Sequence, residues 1–364
     1  MYKLMAEHSW SWDLFFKFGE TDFGLLMHDF ILQSICYQPF QKCLEQKFES
    51  SNKRADIVVS VHPLCQELPL TILSDLDARD EDHKNPPKCR KTPFVTVVTD
   101  LGGAHKTWFH PDVDKCFVPS DALNQKAQSR GLVSSQIEQH GLPIRKGFWP
   151  HELQQQQGSN STTSIESTTT ELRTELGLQQ DLPTVLVVGG GDGMGGIVDI
   201  ASALGKKLGE EDGEYQMVVV CGSNQGAQQK LQQTKWPKGV SVHVEGYVNN
   251  MDVWMKASDC LVTKAGPGTI AEASICGLPC MLFAYLPGQE EGNIPFVEDS
   301  GFGKYSSDPS KIADTVSSWL KSPHTIESMK KASLEAARPS ATLDIAREVA
   351  TLALERKEIM NLRP

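Results

Sequence analysis

Three glycine-rich stretches in the second half of the chain carry residue types suited to an anionic, hydroxyl-bearing ligand. In KAGPGTIAEASICG, Lys264 to Gly277, a turn built on Gly266, Pro267 and Gly268 leads into a helix of small residues starting at about Thr269, whose one acid is Glu272. The N–H groups at Gly268 and Thr269 suit a diphosphate, because a helix N-terminus offers unpaired donors and the positive end of the helix dipole. Spacing leaves two readings of Glu272 even. Thr269 and Glu272 match the S/T-x-x-E capping box, or the carboxylate accepts two ribose hydroxyls beside the diphosphate. A second stretch, GGGDGMGG, spans Gly189 to Gly196. Gly189, Gly190, Gly191 and Gly193 would let backbone approach a ligand, against the plainer reading of a tight turn. It is neither G-x-G-x-x-G with an acid about 20 residues on nor G-x-x-x-x-G-K-[ST], which disfavours a dinucleotide site and a P-loop. In the third, LPGQEEGNIPF, Gln289, Glu290 and Asn293 form a polar knot: a solvated loop, or partners for sugar hydroxyls.

These stretches need elements to hold them. PTVLVVGGG, YQMVVVCGS, VSVHVEGY, DCLVTKAGPG and PCMLFAY read as strands, alternating with helical spacing in IVDIASALGKKL, QGAQQKLQQTKW, MDVWMKAS and TIAEASICG. Val-rich strands alternating with helices predict a doubly wound parallel sheet, whose ligands sit at the carboxyl ends of its strands. The first half repeats the pattern less regularly. ADIVVSVHP, PFVTVVTD, DKCFVPS and IEQHGLP are strand candidates, with helical stretches near 66–79 and 120–131. At strand ends stand His62 and Pro63, and Asp100, His105 and Trp108. His62, His105 or Asp100 could take a proton, though a lone histidine is more often a structural hydrogen-bonder. Residues 1–50 are aromatic and helical in pattern, filling a core or meeting a membrane; before Ile57 no strand ends in a Gly-rich turn. Residues 151–170, HELQQQQGSNSTTSIESTTT, carry too little apolar surface to offset ordering entropy. The expected division is a partial first domain over 1–150, a linker or insertion over 151–182, a second domain over 183–340, and a closing helix over 341–364 that packs back on the first domain.

The chain has 364 residues and a net charge of −11, which argues against wrapping nucleic acid. No run of about 18 apolar residues predicts a spanning helix, and residues 1–9 lack the apolar core of a secretory signal. Its 9 cysteines form no CxxC pair and read as free, mostly buried thiols in a reducing compartment. DARDED, at 77–82, is acidic but reads as a solvated charge run, not a metal site.

The combination GGGDGMGG, VEGYV, DCLVTKAGPGTIAEA and GLPCMLFAYLPGQEEGN resembles the plastid monogalactosyldiacylglycerol synthases; DIVVSVHPLCQELP, VTVVTDLGGAHKTWFHP and QHGLPIR resemble that family's lipid-acceptor domain. The likeness covers roughly 55–350. It implies a GT-B-like fold, two Rossmann-type doubly wound domains facing a cleft, here with an incomplete N-terminal domain. It implies inverting transfer of galactose from UDP-galactose to 1,2-diacylglycerol, without a cofactor or a metal, at a plastid envelope membrane surface where anionic lipids are possible partners. Glu272 would bind ribose, Gly266, Pro267, Gly268 and Thr269 would surround the diphosphate, and Gln289, Glu290 and Asn293 would hold galactose. Gly246, Tyr247 and Val248 would flank uracil; His62, Pro63, Asp100, His105 and Trp108 would face the acceptor. The family's GGGH loop, with its expected catalytic histidine, has no counterpart before Ile57, and Ser223 replaces the basic residue often found after Cys221-Gly222. The expectation is therefore a chain that binds UDP yet transfers galactose poorly, from a gene product longer at its N-terminus that carries a plastid-targeting sequence. The alternatives are a related transferase with another lipid acceptor and a catalytically impaired nucleotide-sugar binder.

Overall fold

A computed structural model describes residues 17–45, 55–79, 89–150, 169–189 and 196–361. By their internal contacts two compact units separate: Met1–Pro143 with Pro287–Gln289 and Ser340–Pro364, and Ile144–Leu286 with Glu290–Pro339.

In the first unit, α1 (Asp22–Glu45) precedes β1 (Val58–Ser60), α2 (Glu67–Arg79), β2 (Phe94–Val97), β3 (Lys115–Val118), α3 (Asp121–Ser129) and β4 (Ile137–Gln139). The strands pair in parallel in the order β1-β2-β3-β4. Alternation along each strand sends side chains to opposite faces. Phe94, Cys116 and Val118 join Leu70 and Leu73 of α2 and Leu123 and Ala127 of α3. Val95, Val97 and Phe117 form a separate cluster on the other face. α1 packs Leu32, Cys36 and Leu44 against Leu68, Ile72 and Leu76 of α2. Its Phe23, Leu26, Phe30 and Ile35 remain 65–73% exposed, so these side chains do not fill a core. Of the DARDED run, Asp77 is buried and accepts the Lys91 N–H at 2.9 Å, a structural role and not a solvated charge; residues 80–82 lie outside the described residues.

The second unit contains α4 (Thr169–Glu175), β5 (Thr184–Val188), α5 (Ile197–Gly209), β6 (Tyr215–Val220), α6 (Gln225–Gln232) and β7 (Val240–Glu245). It continues with α7 (Met251–Lys256), β8 (Cys260–Lys264), α8 (Pro267–Ile275), β9 (Cys280–Ala284), α9 (Asn293–Asp299), β10 (Gly303–Tyr305), α10 (Pro309–Leu320) and α11 (Pro323–Ala336). All six strands are parallel, in the order β10-β9-β8-β5-β6-β7. β5 and β8 therefore flank the point where strand order reverses, the place where doubly wound sheets bind ligands. Val185, Val187, Met217, Val219 and Val262 bury one face against Leu204 of α5 and Ile312 and Val316 of α10. Gly303 allows β10 its position: a Cβ there would stand 2.2 Å from the Cys280 carbonyl oxygen.

The expected linker over 151–182 is corrected in its second part. Residues 151–168 lie outside the described residues, but α4 belongs to the second unit. Leu172 and Leu178 are buried, and Arg173, 6% exposed, donates to Ala257 O at 2.9 Å, Gln180 O at 2.7 Å and Asp259 Oδ2 at 2.9 Å. A guanidinium with all its reach used this way is an anchor.

The last helix, α12 (Ala341–Asn361), belongs to the first unit. Ile345, Val349 and Leu352 cover Val95, Val97 and Phe117. Arg356 donates to Asp114 Oδ1 at 2.6 Å and to the Arg90 carbonyl.

Replacing Arg173 by Met should destabilise the second unit by about 2 kcal/mol, because hydrogen bonds involving a charged group are worth roughly 1.5–3 kcal/mol. Calorimetry should show its melting temperature falling by about 4–8 °C, at roughly 2–4 °C per kcal/mol for this size; an unchanged transition would make the clamp dispensable. Cys116, Cys221, Cys260 and Cys280 are buried, and burial pushes the Cys116 thiol up to about 12. Since the thiolate is the reactive form, iodoacetamide at neutral pH should label exposed Cys43 in the native chain long before these four. Mass mapping that finds Cys260 or Cys280 labelled at the rate of Cys43 would refute the buried-thiol assignment.

Candidate functional site

The carboxyl ends of β5 and β8 each release a glycine loop. After β5 the chain passes Gly189 and re-enters helix at Gly196, whose φ of +78° is the left-handed conformation glycine adopts freely. Gly190, Gly191 and Gly193 lie outside the described residues. After β8 the chain turns at Ala265-Gly266 into α8, with Gly266 as N-cap and Pro267 in the first turn. Proline fits there because its missing N–H would have had no intrahelical acceptor. No side chain caps α8. The first-turn N–H groups of Gly268 and Thr269 thus have no acceptor within the helix, and a Cβ built on Gly268 would meet nothing within 4 Å.

The capping-box reading of Glu272 is corrected. α8 begins at Pro267, so Thr269 lies inside the helix and Glu272 lies beyond the first turn. The carboxylate instead takes both prongs of Arg145: Nε to Oε1 at 2.6 Å and Nη2 to Oε2 at 2.5 Å. The hydrogen bond to Glu272 raises the Arg145 pKa. Its carbon stands 5.5 Å from the Phe148 ring centre. Tyr247 and Asp252 are close enough to act on it electrostatically. Tyr247, following Gly246 and preceding Val248 at the end of β7, is 70% exposed.

The polar knot turns mostly inward. Glu290, buried, accepts Lys264 Nζ at 2.7 Å on one oxygen and the Leu286 N–H at 2.8 Å on the other. Asn293, with no exposed surface, donates to Ala265 O at 2.8 Å. These two groups hold the loops after β8 and β9 together. Gln289 is half-buried and belongs to the 287–289 segment of the first unit.

In the first unit, Asp100 and Trp108 are buried and joined, Nε1 to Oδ2 at 2.7 Å, so neither faces solvent. His105 caps the turn Lys106–Trp108, with Nδ1 2.8 Å from Thr107 Oγ1. Burial lowers its pKa. Among these proton-acceptor candidates only His62 is exposed, its Nδ1 accepting the Leu64 N–H at 3.2 Å. Pro63 lines a cavity of about 190 Å³ with Leu25, Leu64, Phe109 and His110. Among the described residues, the group with metal-ligand spacing is Glu138, His140 and Glu348. His140 there meets Glu348 at 2.6 Å and Lys115 neutralises Glu138.

Sequence reasoning missed Arg145 and Lys264 as partners of Glu272 and Glu290. A lone carboxylate in an apolar helix was the available signal, since a buried charge requires a counter-charge.

A family model for monogalactosyldiacylglycerol (MGDG) synthase matches residues 1–144, and one for the glycosyltransferase family 28 C-terminal domain matches residues 184–345. The chain is 42% identical over 300 residues to the probable monogalactosyldiacylglycerol synthase 2, chloroplastic, of Oryza sativa subsp. indica, covering 81% of this chain and 58% of that one. It is 39% identical over 313 residues to monogalactosyldiacylglycerol synthase 1, chloroplastic, of Arabidopsis thaliana, covering 84% of this chain and 54% of that one. The chain thus spans little more than half the length of these curated relatives. The crystal structure of MurG from Acinetobacter baumannii matches with a TM-score of 0.56 at 14% identity, over 86% of this chain and 76% of that one. At that identity the likeness concerns the fold, which is GT-B-like with two Rossmann-like units. With both domain models in sequence order and relatives of this identity along most of its length, the chain belongs to the monogalactosyldiacylglycerol synthase family.

Proposed function

We propose that this chain carries the galactosyl transfer its family is named for: UDP-galactose as donor, 1,2-diacylglycerol as acceptor, inversion by a single in-line displacement. The observation that carries the reading is the uncapped start of α8 at the strand-order reversal, with Glu272 one turn further along the same helix. The N–H groups of Gly268 and Thr269 stabilise the diphosphate as it departs, a task backbone donors perform without a divalent cation. Glu272 takes the ribose hydroxyls, Tyr247 and Val248 flank the uracil, and Gln289, beside the inward-turned Glu290 and Asn293, meets the galactose. A base removes the acceptor proton as its oxygen attacks.

The acceptor is a membrane lipid. No described helix is long and apolar enough to cross a membrane. The exposed Phe23, Leu26, Phe30 and Ile35 of α1 supply an apolar surface for contact with one face of a bilayer, and the cavity bordered by Leu25, Pro63, Leu64 and Phe109 lies in the same unit. The relatives are named chloroplastic, and the reading places this activity at the plastid envelope as a peripheral enzyme.

Glu272→Gln should weaken UDP binding about tenfold to a hundredfold, since charge-assisted bonds to ribose are worth roughly 1.5–3 kcal/mol. Calorimetric titration measures this, and equal affinity in both chains would remove Glu272 from the donor site. Replacing Leu26 and Phe30 together by Asp should lower co-sedimentation with diacylglycerol-containing vesicles severalfold, with the melting temperature nearly unchanged because both side chains are already in water. Full retention on vesicles would mean that another surface meets the membrane.

A further inference from the structure

Several polar side chains at the carboxyl edge of the second unit are committed to the protein itself. Asn224 caps α6 by accepting the Ala227 N–H at 2.9 Å, and Glu290 and Asn293 brace the loops after β8 and β9. Gln228, half-buried one turn into α6, differs from them. Its backbone N–H is paired with Asn224 O at 3.1 Å, but among the described residues its carboxamide enters no hydrogen bond.

That carboxamide lies against Gly246. Val240, Val242 and Val244 of β7 join the core beside Ala227 and Leu231 of α6, and alternation would point a side chain at 246 the same way. A Cβ there would stand 3.2 Å from Gln228 Oε1 and 3.3 Å from Nε2. The glycine thus leaves room for the amide at the mouth of β7, where the neighbouring Tyr247 is 70% exposed. β7 lies three strand spacings from β8, about 14 Å at 4.7–4.9 Å each. An extended nucleoside diphosphate covers that span from its base to its diphosphate.

We propose that Gln228 reads the base of the donor nucleotide: its Nε2–H donates to uracil O4, its Oε1 accepts the N3–H, and Tyr247 lies against the ring. The proposal rests on the donor-site reading and adds a specificity-determining residue to it. A primary amide carries a donor and an acceptor side by side. Uracil presents an acceptor beside a donor on that edge, so the two pair as a fork, as Asn and Gln do with adenine in nucleic acids. A carboxylate in the same place has acceptors alone. Facing uracil, it meets carbonyl oxygens on both sides of the one N–H. Facing cytosine, it reaches an amino group that stands at the end of the edge.

The test is calorimetric titration of UDP and CDP into the unaltered chain, Gln228→Met and Gln228→Glu. Methionine keeps the length and volume and removes the fork. Gln228→Met should bind UDP about tenfold more weakly, the loss expected for two neutral hydrogen bonds. In Gln228→Glu the ratio of UDP to CDP affinity should fall about tenfold. Unaltered UDP affinity in Gln228→Met would overturn the proposal, since the amide would then only pack over Gly246. So would an equal loss of UDP and CDP in Gln228→Glu. If the glutamate variant fails to melt cooperatively, Gly246→Ala carries the second arm: its methyl group pushes the amide aside and should lower UDP affinity severalfold, and no loss would overturn the proposal. Failure of the unaltered chain to bind UDP overturns the donor-site reading and this proposal together, whereas UDP binding that depends on Glu272 but not on Gln228 overturns this proposal alone.

Discussion

Glu290 and Asn293 tie the loops after β8 and β9 together through three side-chain hydrogen bonds, two with the backbone and one with a lysine. One carboxylate oxygen of Glu290 holds Lys264 at the end of β8, and the other holds the Leu286 N–H past the end of β9. Asn293 reaches back to the carbonyl of Ala265, one residue before the N-cap of α8. Both side chains are buried, so each bond lost would leave a desolvated polar group at a cost of roughly 1–3 kcal/mol. The loop is held from its inner side, and no side chain caps the helix that follows it.

The sheet beneath supplies the second condition. Strands β5 and β8 are neighbours although three strand-helix connections separate them in sequence, and the strands that follow each one run off in opposite directions. Connections at such a reversal run to opposite faces, which opens a crevice outside the carboxyl ends of the two strands. Gly246 and Tyr247 at the end of β7 and Tyr285 after β9 open on the same carboxyl edge.

Much of this was legible beforehand, and the parts that were not share a cause. Val-rich runs such as TVLVV and MVVV announced strands buried on both faces, because no polar alternation could survive there. Glycines after β5 and β8 marked where backbone must turn. Pairing between distant residues left no mark. Arg145 and Glu272 are 127 positions apart, and neither periodicity nor spacing links them. The capping box failed through a two-residue shift in helix start, although proline's preference for the first turn pointed to Pro267. Glu290 and Asn293 read as sugar ligands or solvated loop, and the structure adds a third use, bracing the loop from inside. Asp100 likewise spends its carboxylate on Trp108. A polar residue near a strand end says that a partner exists, and local sequence does not say whether that partner is a ligand or the chain itself.

The first unit takes its last helix from the far end of the sequence. Val95, Val97 and Phe117 occupy β2 and β3, yet the residues that cover them, Ile345, Val349 and Leu352, are separated from those strands by the whole of the second unit. During synthesis at roughly 5–20 residues per second, β1 to β4 leave the ribosome more than 200 residues ahead of that cover. For about 10–40 s one face of a parallel sheet is apolar and bare, while the second unit can complete its own core. The order of translation therefore lets the second unit complete its core before residues 341–361 arrive to cover the sheet of the first.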